Sequence, residues 1–321
     1  MKNILITGAL GQLGSEIALA LRAIYSNENV VLVDIRCDIN KALISEGPFY
    51  IADCRNGDKL REIVKKHHTD TIIHLAAILS AKGELNPTMA WDININGLTT
   101  ILEIAKEFDC SLFTPSSIGA FGSSTDKDNT PQVTIQRPSS IYGITKVAGE
   151  LLCDYYYSKY NVDTRGVRFP GLISYLTKPG GGTTDYAIEI FHEAIKNKKY
   201  VCPIKEDTYM DMLYMKDAVK AVITLMNADP SKLKHRNAYN ITAMSFSPAQ
   251  IAAEIKKHIP EFEITYEIDP LKQKIADSWP NKLDDSEARE QWGFNPFYDL
   301  SSMVSEMLDK ISRRLSYDYT S

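Results

Sequence analysis

The sequence predicts an α/β protein: a Rossmann-type, doubly wound parallel sheet with a smaller, intertwined C-terminal substrate-binding lobe. Three observations predict it. Short apolar strands alternate with helical patterns through the first half of the chain. A glycine triplet joins the first strand to the first helix. After Pro170 the alternation loosens into a mixed segment.

Residues 2–7 read as a short buried strand, and Gly8-Ala9-Leu10-Gly11-Gln12-Leu13-Gly14 follows. A helical pattern over 15–24 leads to an apolar strand at 30–33 that ends in Asp34. That is one strand–turn–helix–strand unit. Helix 56–67 precedes strand 71–75, helix 89–108 precedes strand 111–114, and helix 142–159 precedes strand 164–169. Such alternation gives a parallel sheet covered on both faces. Lys178-Pro179-Gly180-Gly181-Gly182 reads as a flexible loop, followed by helices at 185–197 and 217–226 and a last strand at 239–241. Ser247-Pro248 opens a further helix, with an N-cap serine and a proline at the first helical position. A final helix falls near 299–314. The expected division is a cofactor-binding domain over 1–171 with core elements also from about 211–242, and a substrate lobe from 172–210 and 243–321.

Composition narrows the class. The 321 residues, 44% hydrophobic and 24% charged, suit one globular α/β chain with a large core. A net charge of −5 argues against a nucleic-acid or anionic-membrane partner. Cys37, Cys54, Cys110, Cys153 and Cys202 form no CxxC and are odd in number, so they read as reduced thiols. Nothing at the N-terminus resembles a secretory signal and no apolar run has membrane-spanning length, so a cytoplasmic protein is expected. The acceptor-like Asn240-Ile241-Thr242 then reads as chance.

Gly8, Gly11 and Gly14 let the chain turn tightly and let a pyrophosphate approach without a Cβ in the way. The helix beyond presents free N–H groups to the anion. Asp34 stands 20 residues after Gly14, the distance at which a carboxylate meets the adenosine ribose. It favours NAD over NADP, because a carboxylate repels a 2′-phosphate; Arg36 softens that preference. Gln12, Leu13, Ile35, Arg36, Asp53 and Cys54 join the candidate cofactor set. For Asp53 a plain turn acid is the alternative.

Tyr142 and Lys146 lie four residues apart on the 142–159 helix, so phenol and ammonium share a face. A neighbouring cation lowers the pKa of a phenol, which makes the pair a candidate general base. Ser117, at the end of strand 111–114 and 25 residues before Tyr142, can reach a substrate from a strand's carboxyl end. Turn capping is the alternative for Ser116 and Ser117. His67-His68 lacks partners at ligand spacing, reads as solvated, and no metal site is expected.

Together these segments resemble the extended short-chain dehydrogenase/reductases, which include the nucleotide-sugar epimerases. His74-Leu75-Ala76-Ala77, Asn94-Ile95-Asn96-Gly97, Ser117-Ile118-Gly119-Ala120-Phe121-Gly122 and Met215-Lys216-Asp217 belong to the match, which covers essentially the whole chain. Phe121 stands where many of the epimerases have a tyrosine, which is not the catalytic base. The resemblance implies Tyr142 as general acid/base, Lys146 on the nicotinamide ribose, and Ser117 bonded to the reacting oxygen. It implies Leu75, Ala76, Ala77, Phe169, Pro170 and Gly171 lining the cofactor, and Asn94 as a support of the sheet. It also implies a homodimer through the helices at about 89–108 and 142–159. Leu151, Leu152, Tyr155 and Tyr156 could supply that surface or could face the sheet.

The segment 207–217 has no arginine to meet a nucleoside diphosphate. Ala77-Ile78-Leu79-Ser80-Ala81-Lys82-Gly83-Glu84, residues 179–187 and Ile275-Ala276-Asp277-Ser278-Trp279-Pro280 instead look like the L-threonine 3-dehydrogenases of the short-chain type. That resemblance implies NAD-dependent oxidation of the threonine β-hydroxyl to 2-amino-3-oxobutyrate. Ser80, Thr183, Asp185 and Trp279 then become candidate substrate contacts, with Thr183 favoured over Thr184. Asp185 would neutralise the ammonium or fix a neighbouring hydroxyl, or else cap the helix at 185–197. The glycine loop would act as a lid. A sugar-nucleotide epimerase or dehydratase that holds NAD permanently is the alternative within the fold, and a non-catalytic NAD sensor the alternative from another class. Retention of Ser117, Tyr142 and Lys146 speaks against the sensor.

Overall fold

Strand β1 (Ile4–Thr7) lies at the centre, flanked by β2 (Val30–Asp34) and, further on in the chain, by β4 (Thr71–His74). The remaining strands, in chain order, are β3 (Phe49–Ile51), β5 (Ser111–Phe113), β6 (Ser116–Ser117), β7 (Thr164–Arg165), β8 (Val167–Phe169), β9 (Gly171–Ile173), β10 (Lys199–Cys202), β11 (Met210–Tyr214), β12 (Tyr239–Asn240), β13 (Met244–Phe246) and β14 (Glu263–Tyr266). The computed structural model of the chain describes residues 1–176 and 182–318. Residues 178–181 of the expected glycine loop, and with them the expected lid, lie outside the described residues.

The main sheet runs β3-β2-β1-β4-β5-β7, every pairing parallel. Its alternation of side chains builds two cores. Ile4, Ile6 and Leu32 face Ile17, Ala18 and Leu21 of the helix Gln12–Tyr25 and residues of the helix Met215–Asn227. Leu5, Val31 and Val33 face Leu60 and Ile63 of the helix Gly57–Lys66 and Ile101 and Leu102 of the helix Gly97–Phe108. All these strand residues are buried, as in a sheet covered on both sides. In the register Thr7 stands opposite Val33 and His74, so Gly8, Asp34 and Leu75 emerge along one carboxyl edge.

Two expected elements differ. The helix expected over 89–108 is a run of Pro87–Trp91, a π-helical turn Asp92–Asn96, and Gly97–Phe108. Asn94 is buried within this turn and bonds the backbone of Ile78. The strand expected over 164–169 breaks at Gly166. A Cβ there would lie 2.3 Å from the Asn237 carbonyl oxygen and 2.6 Å from that of Thr114, so only glycine allows the approach. Beyond the break the chain leaves the main sheet, and β8 pairs in parallel with β6 and β12. That register sets Ser117 beside Phe169.

A third sheet, β13-β11-β9, and a two-stranded one, β10-β14, organise the C-terminal part. The helices Tyr186–Asn197, Pro248–His258 and Leu300–Asp318 pack there around Ile190, Phe191, Phe246, Ile255 and Met307. The Ser247 cap is present, its hydroxyl accepting from Gln250 N while Gln250 reaches back to Ser247 N. Asn240 is fully buried and donates to the Thr130 carbonyl at 3.1 Å, which leaves its Asn-Ile-Thr triplet inside the fold. His67, expected to be solvated, is half-buried and bonded to the Tyr50 hydroxyl at 2.8 Å. Its helix ends beside β3, and that contact draws the ring in. Among the described residues no helix is long and apolar enough to cross a membrane, and no cluster of His, Cys, Asp and Glu could hold a metal ion.

Candidate active site

The glycine turn is built by contact as much as by conformation. Gly8 has φ +69°, and a Cβ on it would meet Ala76 N at 2.6 Å. A Cβ on Gly14 would meet the Gly8 carbonyl oxygen at 2.4 Å. The backbone at the start of the helix Gln12–Tyr25 therefore lies against the end of β4, and its first amides face a cavity of about 260 Å³. Gly8, Gly11, Gln12, Leu13, Gly14, Leu75 and Ala77 line its near end, with Phe169, Pro170 and Gly171 opposite. Ala76 lies behind this wall, against Gly8.

The second half of the cavity is chemical. Ser117, Tyr142 and Lys146 line it, with Ser80, Thr183, Asp185 and Trp279 across from them. Ser140 caps the helix Ile141–Tyr160 through Gly143 N at 3.1 Å, which aims the first turn and Tyr142 at the cavity. The Ser117 hydroxyl bonds the Tyr142 phenol and favours its ionisation, but burial is the larger influence and pushes the phenol up. Lys146 Nζ sits 5.4 Å from the Tyr142 ring centre and donates to the Pro115 carbonyl oxygen at 2.8 Å. Burial lowers its own pKa to about 8, with Glu150 opposing. The structure does not show the expected depression of the phenol by Lys146: the ammonium faces a carbonyl and burial dominates the phenol. His74 gives no second base. Its Nδ1 pairs with the Thr7 hydroxyl at 2.7 Å and burial holds it near about 3, so it is neutral.

Glu150, which the sequence did not single out, and Asn94, expected as a support of the sheet, lie under this centre. Glu150, one more turn along the helix from Lys146, is buried and bonds Arg168 through Oε1 at 3.0 Å and Oε2 at 2.8 Å. It also accepts from the Ser116 hydroxyl and from Gln136 Nε2 at 2.9 Å. The spacing Tyr142, Lys146, Glu150 is the signal that could have found it. Asn94 Oδ1 accepts from Ile78 N at 2.7 Å, and Nδ2 donates to the Ile78 carbonyl and the Thr145 hydroxyl. It ties the loop after β4 to the Tyr142 helix.

Other expected residues fall elsewhere. Asp34 is buried at the end of β2 and paired with Arg36, and Ile35 beside it is exposed. Asp53 is held by Arg55 at 2.9 Å, and Cys54 packs against Gly97. None of these five lines the cavity. Asp185 Oδ2 accepts from Gly182 N at 2.7 Å, an N-terminal bond of the short 3₁₀ turn Thr183–Asp185, while the same residue lines the cavity. Thr183 is 2% exposed and its hydroxyl has no hydrogen-bond partner; Gln12 Nε2 is likewise buried without one. Leu152 and Tyr156 pack on the sheet, whereas Leu151 and Tyr155 face outward.

The residues present fit a dinucleotide. The turn has the room a pyrophosphate needs, and Gln12 Nε2 is a buried donor awaiting an acceptor. Comparisons agree. Residues 4–242 match the NAD dependent epimerase/dehydratase family. An uncharacterized epimerase/dehydratase of Staphylococcus haemolyticus is 54% identical, covering 98% of this chain and 99% of its own. The crystal structure of L-threonine dehydrogenase from Clostridium difficile is 57% identical with a TM-score of 0.96, covering 98% of both chains. The holo form of a GalE-like L-threonine dehydrogenase from Cupriavidus necator is 45% identical with a TM-score of 0.93, covering 96% of this chain and 99% of that one.

Proposed function

The chain belongs to the NAD-dependent epimerase/dehydratase family, and from that premise we propose that it oxidises the β-hydroxyl of L-threonine, giving 2-amino-3-oxobutyrate. The observation that carries the reading is the far wall of the cavity. Among the described residues lining it, Lys146 is the one cation, and it is bonded to Pro115. A nucleoside diphosphate would find no guanidinium there. A small amino acid would find Ser80, the unpartnered Thr183 hydroxyl, the Asp185 carboxylate and the apolar face of Trp279. The similarity to L-threonine dehydrogenases supports the same reading.

NAD, held by the glycine turn, Leu75, Ala77, Phe169 and Pro170, supplies the hydride acceptor. Tyr142 takes the proton of the β-hydroxyl, assisted by the Ser117 hydroxyl that already bonds it. Lys146, which donates to the Pro115 carbonyl, would hold the ribose of a bound NAD, and its positive charge would favour the phenolate. Asp185 neutralises the substrate ammonium, and Thr183 donates to the carboxylate. Two copies pair through the helices Gly97–Phe108 and Ile141–Tyr160, burying Leu151 and Tyr155; a monomer in light scattering at micromolar concentration would count against this.

The deciding experiment follows NADH absorbance with the purified chain against a panel of amino acids and sugar nucleotides. NADH release with L-threonine and no turnover of UDP-sugars is expected. The reverse outcome would place the chain among the epimerases or dehydratases of its family. A chelator should leave the activity intact.

A further inference from the structure

Two amides in the first turn of the helix that carries Tyr142 are filled by side chains. Gly143 N is taken by Ser140, its neighbour in sequence. Ile141 N is taken from 57 residues away, by Glu84 Oε1 at 2.8 Å. An amide at an open helix end can bond water, so it needs no distant carboxylate to satisfy it. The carboxylate joins two segments instead, through a charge-assisted bond at the helix end that favours negative charge. Glu84 lies in the short helix Ser80–Leu85, whose own N-terminus has no side-chain cap. The adjacent Gly83 is buried against the same helix start, where a Cβ would lie 3.3 Å from Ile141 Cγ2.

Asn94 makes a second tie between these segments. It accepts from Ile78 N and donates to the Thr145 hydroxyl at 3.0 Å, and that hydroxyl donates to the Tyr142 carbonyl at 2.8 Å. One segment is thus held at Ile78 and at Glu84, with Ser80 between. The other is held at Ile141 and at Thr145, with Tyr142 between. Ser80 is 4% exposed and lines the cavity that Tyr142 faces. Glu84 is exposed and does not line it.

We propose that Glu84 is a positioning residue for the substrate: its bond to the Ile141 amide fixes Ser80 relative to Tyr142, and so the bound substrate relative to the base. This takes Ser80 as a contact of the amino acid and so rests on the threonine reading. The Ser80 segment is the short, uncapped partner, whereas the long helix is also anchored at Lys146 through Pro115. Loss of the bond would therefore move Ser80 more than Tyr142. The effect falls on substrate affinity and not on the cofactor, which the glycine turn, Phe169 and Pro170 face from elsewhere in the cavity.

The test combines steady-state kinetics with L-threonine and amide hydrogen exchange on the wild type, Glu84→Ala, Glu84→Gln, Ser80→Ala and the double variant Ser80→Ala/Glu84→Ala. In Glu84→Ala, KM should rise about tenfold, the scale of one hydrogen bond to a charged group, with kcat and NADH binding nearly unchanged. Glu84→Gln keeps an acceptor oxygen in place and should recover most of the affinity. The double variant should be no worse than Ser80→Ala alone, because a residue that acts through another adds nothing once that other is gone. An unchanged KM in Glu84→Ala overturns the proposal. So do additive losses in the double variant, or a Glu84→Gln as poor as Glu84→Ala. Exchange without any substrate keeps this proposal apart from the threonine reading. Glu84→Ala should speed exchange at Ile141 and across residues 79–85 whichever alcohol is oxidised. Unchanged exchange there overturns the positioning bond and leaves the threonine reading standing, whereas a wild type that releases no NADH with threonine, but shows the faster exchange in Glu84→Ala, sinks only that reading.

Discussion

Lys146 Nζ donates to the carbonyl oxygen of Pro115 at 2.8 Å, which ties the second turn of the Tyr142 helix to the segment that ends in Ser117. One contact thus joins two members of the candidate catalytic set, and it uses the ammonium that the cofactor ribose would need. Lys146→Ala should weaken NADH binding and turnover together, each by about tenfold or more. The pH dependence adds a sign. Burial lowers this ammonium to about 8, so its charge is present below that pH and is lost as pH rises through it. Wild-type NADH affinity should fall above about pH 8, and the variant's should be flat. A variant altered in melting temperature alone would make Lys146 structural.

Tyr142→Phe separates chemistry from binding. The ring fills the same space beside Gly119 and Ser117, but the proton acceptor is gone. Turnover should drop by about 10²–10⁴-fold, the usual worth of acid–base assistance, while NADH still titrates normally. Because burial raises the phenol, activity in the wild type should climb with pH on the alkaline side of neutrality until Lys146 loses its charge. Near-normal turnover in the variant would rule Tyr142 out as the base.

What could be read from the sequence was what is local or periodic. The glycine turn, Asp34 and the strand–helix alternation repeat a spacing that backbone geometry imposes, and the sheet has the expected parallel character. Spacing alone was weaker for the catalytic pair. The same helix carries a second Tyr-x-x-x-Lys, Tyr155 and Lys159, with the phenol bonded to the ammonium at 2.6 Å on the exposed surface far from the cavity lining. Position relative to Ser117 and the turn distinguishes them, not the motif. The break at Gly166 was invisible because its cause, the carbonyls of Asn237 and Thr114, lies far off in sequence. The Glu150–Arg168 pair was missed for the same reason, since a helix glutamate reads as solvated until its partner on β8 is placed.

Thr183 offers a test that separates a binding role from a structural one. Its hydroxyl is buried and unpaired, a state that costs free energy. Thr183→Val keeps the shape and removes the polar atom. Melting temperature should be unchanged or higher, while KM for threonine rises about tenfold, the worth of one hydrogen bond to a charged group. A fall in stability with an unchanged KM would show that the hydroxyl serves the fold.

Asp211 makes the last prediction, about stability rather than turnover. It is fully buried on β11, where its carboxyl accepts from the Thr242 hydroxyl and from Leu283 N at 2.8 Å. Burial pushes its pKa up to about 8, against a value near 4 in an unfolded chain, and the two hydrogen bonds recover part of the difference. Between those values the folded chain holds a proton that the unfolded chain has lost, so stability falls as pH rises across the interval and levels off above about 8. Asp211→Asn stays neutral throughout, and its amide can still accept from Leu283 N while Thr242 turns to accept from it. Melting temperatures measured from pH 6 to pH 9 should decline more in the wild type than in the variant, with the curves separating as pH approaches 8. Parallel curves would mean that Asp211 is ionised in the folded protein at neutral pH.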